Sequence, residues 1–264
     1  MFAGNAYGDA KLKPMLVYRS KNPRALKNCD KEALPVIWRH NKKAWITRRE
    51  FTDWFSNYFV PFIETYNKDH NLDNKAMLIL DNASVHPVEL GQLYPHIKIV
   101  FLPPNTTSLI QPLDQGIIAN FKVFYLRCTL EKLAFAIAEN NEDIRSHWKK
   151  FNIKMAVAII SESWAQVSYI TMNNCWKQLW PECIKSHVDE GNALELSKTE
   201  TLNLFQQVGF ENINQEDIDE LLTSHQQELE NEELLQIQHF PVIYDSDEEI
   251  LEHNIVELNS NSSN

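Results

Sequence analysis

Apolar residues recur along this chain with two different periods. Phe51, Trp54, Phe55, Tyr58, Phe59, Phe62, Ile63 and Tyr66 follow one another at spacings of three and four. That is one continuous stripe on the side of an α-helix. Thr47 and Glu50 precede it in capping-box spacing, and Pro61 predicts a kink within it. Its aromatic rings are expected in the core rather than in a ligand cage. Strand-like runs lie on either side. Lys11 to Tyr18 reads as a strand after a Gly4…Gly8 turn, and residues 19–43 as irregular with a short apolar patch from Leu34 to Trp38. Ala76–Leu80 and Ile97–Leu102 are short, continuously apolar runs, which predicts parallel strands covered on both faces. The interval between them holds a crossover with one short helix.

Further along, a turn-rich loop runs from Pro103 to Leu113. A helix is expected to begin near Asp114 and to bury Ile117, Phe121, Phe124, Tyr125 and Cys128. Ile153, Ala156, Ile160, Trp164 and Val167 mark another amphipathic helix. Short helices are expected at about 215–224 and 231–238, capped by Asn214 and Asn231. The predicted organisation is a core over 1–145, a helical extension over 146–188 and a mobile acidic tail over 189–264.

Composition sharpens this division. The chain has 264 residues with a formal charge of −11, unevenly spread. Residues 1–187 carry 24 Lys and Arg against 17 Asp and Glu, a balance of +7, whereas residues 188–264 carry 1 against 19, a balance of −18. A basic body with an acidic tail suits a protein that handles nucleic acid or basic partners, and equally a tail that only keeps itself solvated. Apolar runs fall far short of the roughly 20 residues of a membrane helix. The first residues do not have the charged and long apolar regions of a secretory leader. Cys29, Cys128, Cys175 and Cys183 form no Cys-x-x-Cys pair and read as free thiols of a reducing compartment.

The chemistry lies in two carboxylates. Asp81 ends an apolar strand, where α/β sheets place their sites, and Asp114 lies one strand later at a helix start. Carboxylates brought together at one sheet edge repel each other, and a hard divalent cation relieves that repulsion. Spacing alone also allows Asp114 as a helix cap and Asp81-Asn82 as a turn starter.

The segment Leu80-Asp81-Asn82-Ala83-Ser84-Val85-His86-Pro87, followed by Phe101-Leu102-Pro103-Pro104-Asn105-Thr106-Thr107-Ser108-Leu109-Ile110-Gln111-Pro112-Leu113-Asp114-Gln115-Gly116, resembles the DDE superfamily endonuclease domain of pogo-type transposases, in the tigger and jerky branch. Gly4-Asn5-Ala6-Tyr7-Gly8, Ser20-Lys21-Asn22-Pro23-Arg24, Asn41-Lys42-Lys43-Ala44-Trp45-Ile46-Thr47 and Asn174-Cys175-Trp176 fit as well. The resemblance implies an α/β, RNase H-like mixed sheet flanked by helices, and a triad of acids holding two divalent metals, Mg²⁺ or Mn²⁺. Such sites nick DNA at transposon ends and join the freed 3′-hydroxyl to target DNA.

By position, Asp81 matches the second acid and Asp114 the third, both metal ligands, with Asn82 and His86 beside them to orient water or DNA. The first acid belongs to a strand that the family places before the equivalent of Gly4, between the second strand and the one ending at Asp81. The chain is therefore expected to lack that strand and to be catalytically impaired. Those two strands then either pair directly or leave a gap of unpaired backbone. Asp9, Asp53 and Glu64 are no substitutes: the first belongs at the opposite sheet edge and the others flank the long helix. Lys11, Lys13, Lys42, Lys43, Arg48 and Arg49 are the candidate DNA contacts. The implied partner is DNA, in the nucleus. The acidic tail, with Ser246 as a phosphorylation candidate, could hold basic proteins, a homodimer is a further possibility, and no membrane contact is expected. A fragment of an active metal-dependent transposase and a tail-based interaction module stand as the alternatives.

Overall fold

In the computed structural model, residues 1–140, 143–185, 191–210 and 212–223 are described, and those up to Leu222 belong to one compact unit. The first residues form a narrow antiparallel ribbon. Met15 N–H donates to the Met1 carbonyl and Leu12 N–H to that of Ala3, around a bridge between Gly4 and Lys11. The chain then enters β1 (Met15–Tyr18), which pairs in parallel with β2 (Ile37–His40). β2 grows out of the patch expected to be irregular, where the side chains of Val36, Ile37 and Trp38 suit a pleated, buried surface. Alternation then divides these strands between two cores. Met15 and Ile37 face one, while Leu16, Val36 and Trp38 face another completed by Leu26 and Val157.

The aromatic stripe is helical, but in three pieces: α1 (Arg48–Trp54), one π-helical turn over Phe55–Phe59, and α2 (Val60–Asp69). Both halves of the capping box at Thr47 and Glu50 are formed. The kink expected at Pro61 takes the form of the wider turn just before it. Proline has no N–H for the carbonyl four residues back, and Val60 N–H already donates five residues back to Phe55. Phe51, Trp54, Phe55 and Phe59 are buried. At roughly 1.5–3 kcal/mol per fully buried large apolar side chain, this stripe is a principal contributor to stability.

β3 (Ala76–Leu80) and β4 (Ile97–Phe101) form a second parallel pair, joined by a crossover containing α3 (Leu90–Leu93). One face of the pair packs on the aromatic stripe through Leu78, Leu80, Ile97 and Ile99. The other is incompletely covered, with Met77 57% exposed. Coverage on both faces therefore holds for β1–β2 and not for β3–β4. The strands make two separate two-stranded sheets, and β1 and β3 do not pair. Such ribbons are marginal alone and depend on the helices against them.

The loop from Pro103 contains α4 (Thr107–Ile110) and a 3₁₀ turn over Pro112–Asp114; Gly116, at φ 106°, then turns the chain into α5 (Ile117–Asn140). Asp114 is thus in the turn before the helix and not in its first turn. Around α5 pack α6 (Ile144–Lys150), α7 (Ile153–Gln166), α8 (Tyr169–Asn174), α9 (Gly191–Gln207) and α10 (Gln215–Thr223).

The helical body therefore continues past residue 188. Leu204 and Val208 join Leu130 and Leu133, and Ile218 and Leu222 join Val123. Asn214 caps α10 as expected, its side-chain oxygen accepting from the N–H groups of Glu216 and Asp217. The expected helix at 231–238, its cap Asn231, and Ser246 lie outside the described residues. Among the described residues no helix is long and apolar enough to cross a membrane.

Candidate metal and DNA site

Asp81 follows the last residue of β3, and parallel pairing with β4 fixes its height at the carboxyl end of that sheet. The turn that follows holds its side chain. His86 Nδ1 lies 2.9 Å from Asp81 Oδ1 and 3.2 Å from the Asp81 carbonyl oxygen. Both are acceptors, so Nδ1 carries the proton. Ala83 N–H donates to the same Oδ1 at 3.2 Å, which leaves Oδ2 as the oxygen for a ligand. His86 is 13% exposed, and its ring lies against Phe51 of α1 with centroids 4.4 Å apart. The aromatic stripe thus supports the residue that orients Asp81.

Asp114 reaches the same place from the other side of the loop, and both carboxylates line one cavity of about 760 Å³. The His86 hydrogen bond holds Asp81 below the ordinary carboxylate range. Burial pushes Asp114 up, and the negative charge of Asp81 pushes it further. Residues 33 apart in the chain thus line one cavity, and neither alternative role describes them fully. Asp114 caps no helix, although Asp81 does start a turn.

One further group belongs here that sequence reasoning missed. Gln111 lines the cavity with a buried side-chain oxygen that has no hydrogen-bond partner. Its position three residues before Asp114 gave no signal of this. The two carboxylates and the orphaned Gln111 amide oxygen are oxygen donors of the kind a hard cation takes, and all three residues line the same cavity. Among the described residues no group of three His, Cys, Asp or Glu side chains gathers to hold a metal.

The three carboxylates judged unsuitable as replacements are all engaged elsewhere. Asp9 accepts from the Tyr66 hydroxyl at 3.0 Å, Asp53 from Arg39 Nε at 2.6 Å, and Glu64 lies 3.3 Å from His96.

The basic residues divide. Lys11 is not a surface contact: its ammonium donates to the carbonyls of Trp164 at 2.8 Å, Val167 at 2.6 Å and Ala165 at 3.3 Å, and lies over the Trp164 ring. It caps the carboxyl end of α7, and burial pushes its pKa down. Lys13 reaches the Glu32 carbonyl at 3.4 Å. Lys42 and Lys43 are exposed in the turn after β2, and Arg49 is exposed at the start of α1. Arg48, beside it, pairs at 3.6 Å with Glu89 of the loop that follows Asp81, which brings the start of α1 next to the site. Asn82 is exposed within that loop.

A sequence model of the family described as DDE superfamily endonuclease matches residues 1–176. Human Tigger transposable element-derived protein 7 is 35% identical over 187 residues, which cover 66% of this chain and 34% of the relative. The human Jerky protein homolog is 28% identical over 183 residues, 69% of this chain and 30% of the relative, and the mouse Jerky protein 27% over the same length. The chain therefore spans about a third of the length of these relatives. No solved structure matches it. The matched stretch contains both aspartates and the loop between them, and by that match the chain belongs to the DDE superfamily endonucleases of the pogo type.

Proposed function

We propose that this chain is a transposase-derived domain that contacts DNA through phosphates and holds one Mg²⁺ or Mn²⁺ at Asp81 and Asp114, with cleavage impaired. The supporting observation is that the Asp81 and Asp114 carboxylates interact at one cavity while no third acidic side chain joins them among the described residues. When bound, the cation would neutralise a phosphodiester and favour attack on it. Asp81 and Asp114 would hold it, with the Gln111 amide oxygen within the same cavity as a neutral donor. His86 fixes Asp81 through Oδ1, so a ligand meets a preset carboxylate instead of paying to order one. Exposed Arg49, Lys42 and Lys43, with Arg48 at the start of α1, offer phosphate contacts beside that edge. Binding of this kind is weakly selective and salt-dependent. A function on chromosomal DNA would put the protein in the nucleus.

Calorimetric titration with Mn²⁺ and a nicking assay on supercoiled DNA test this together. The expected result is weak Mn²⁺ binding that is lost in Asp114→Asn, DNA affinity that falls steeply with salt, and no nicking above background. Metal-dependent nicking abolished by Asp81→Asn would overturn the impairment and establish an active nuclease. Absence of both Mn²⁺ and low-salt DNA binding would overturn the proposal entirely.

A further inference from the structure

Three non-glycine residues among those described have a left-handed backbone: Asn71, Asn105 and Ala44, at φ 54°, 62° and 54°. Asparagine tolerates that region because its side chain bonds locally. Alanine has no such compensation, so its surroundings must hold it there. Asn41 does so. Its N–H donates to the Tyr18 carbonyl at 3.0 Å, which ties the turn to the end of β1, and its carbonyl accepts from Ala44 N–H at 3.0 Å. Its side chain then grips the following residue twice: Oδ1 accepts from Trp45 N–H at 3.3 Å, and Nδ2 donates to the Trp45 carbonyl at 2.6 Å. Ile46 packs on the aromatic core, whereas Trp45 beside it is 57% exposed. A single exposed apolar residue needs no explanation. A rigid turn that holds strained backbone in order to present a tryptophan does.

The charge around that ring narrows what it meets. Lys42, Lys43, Arg48 and Arg49 fall within eight positions of one another, and all four are exposed. Glu50 is buried and engaged in the capping box with Thr47. Such a surface suits a polyanion better than the apolar face of another protein. It also lies beside the candidate site, because Arg48 pairs with Glu89 of the loop after Asp81 and Phe51, one turn further along α1, lies against His86. Cations alone would hold the phosphates of any DNA. A tryptophan face adds attraction only for a flat ring that is free to stack on it. In a duplex both faces of each base are covered by neighbouring pairs, whereas an unpaired base has a face to offer.

We propose that Trp45 is a stacking platform for an unpaired base, with Lys42, Lys43 and Arg49 on the flanking phosphates, so that the site takes DNA of single-stranded character in preference to intact duplex. The proposal rests on the chain being a DNA-contacting domain and adds which form of DNA it takes.

The test is fluorescence anisotropy of the full chain, at low salt and in EDTA, on three end-labelled DNAs. One is a short mixed-sequence duplex, one is a single strand of it, and one is an abasic strand of the same length, which keeps the phosphates and lacks the bases. The wild type is expected to bind the single strand about tenfold more tightly than the abasic strand, and more tightly than the duplex in spite of the duplex's denser charge. Trp45→Ala is expected to lose about tenfold on the single strand and less than about twofold on the other two, with an unchanged salt slope, while Trp45→Phe keeps most of the affinity. Equal binding of the intact and abasic strands by the wild type overturns the proposal whatever the variants do. So does a duplex bound as tightly as the single strand, and so does an equal loss on all three DNAs in Trp45→Ala. Duplex binding that persists in any of these cases leaves the DNA-contacting function standing, whereas absence of binding to every DNA overturns both.

Discussion

Replacing Lys11 by methionine separates two roles that a basic residue can play here. As a DNA contact it would sit in solvent and contribute within about 0.5 kcal/mol to stability. In the structure its ammonium closes the carboxyl end of α7 with two short bonds, at 2.6 and 2.8 Å, and a longer one at 3.3 Å. Hydrogen bonds from a charged group contribute about 1.5–3 kcal/mol each, and a cation at a helix carboxyl end adds about 0.3–1 kcal/mol. The lost hydration of the ammonium opposes both, and methionine keeps the apolar stem packed. The net expectation is a loss of about 2 kcal/mol, or about 4–8 °C in Tm for a domain of this size. Urea unfolding measures the first quantity. DNA anisotropy over a salt series measures the second role, because each lost phosphate contact lowers the slope of log affinity against log salt by about 0.9. The expected outcome is a clear loss of stability with an unchanged salt slope. A loss below about 0.5 kcal/mol together with a slope lower by about 1 would refute the structural role.

Gly8 has φ 92°, and a Cβ there would lie 2.1 Å from the Tyr169 carbonyl oxygen. Gly8→Ala combines a disfavoured backbone with a clash against main chain and is expected to cost about 3 kcal/mol by thermal melting; a change under about 1 kcal/mol would show that the turn relaxes freely. Cys175 is buried, its thiol donates to the Met172 carbonyl, and burial pushes its pKa up to about 12. Alkylation at pH about 8 should modify half-buried Cys29 in the native protein and reach Cys175 only on unfolding, read by mass spectrometry. Lys198, bonded to Asp219 at 2.7 Å and Glu195 at 2.9 Å, has a raised pKa despite its burial. Its contribution is complete below the unfolded value of about 10.4 and is lost as pH rises through the folded one. The stability gap between the wild type and Lys198→Met should therefore shrink above pH of about 10, and a constant gap would contradict it.

Much of this architecture was legible where the signal is local. The stripe from Phe51 to Tyr66 became helix because its period leaves no other way to bring eight apolar side chains to one side. The capping box at Thr47 and Glu50 and the Asn214 cap followed from short-range chemistry, and the parallel pairing of Ala76–Leu80 with Ile97–Phe101 from two apolar runs separated by an interval long enough for a crossover. β2 was missed because four residues carry too little periodicity to separate a strand from an apolar patch. The packing of α9 was missed because its acidic composition describes the face left in water, whereas its place in the fold depends on Leu202, Leu204 and Phe205 meeting α5.

The site divides in the same way. The pair Asp81 and Asp114, and the residues of the loop between them, were written in the order of amino acids. Which cations remain available was not. Lys11 and Arg49 are equally basic as letters, and only the arrival of the α7 carbonyls at Lys11 removes it from the surface. Likewise the sequence could state that β3 is apolar, but not that Met77 on one of its faces would stay 57% exposed. Side-chain pattern sets which residues favour burial; which faces are covered is a long-range outcome, decided when separate strands and helices are packed together.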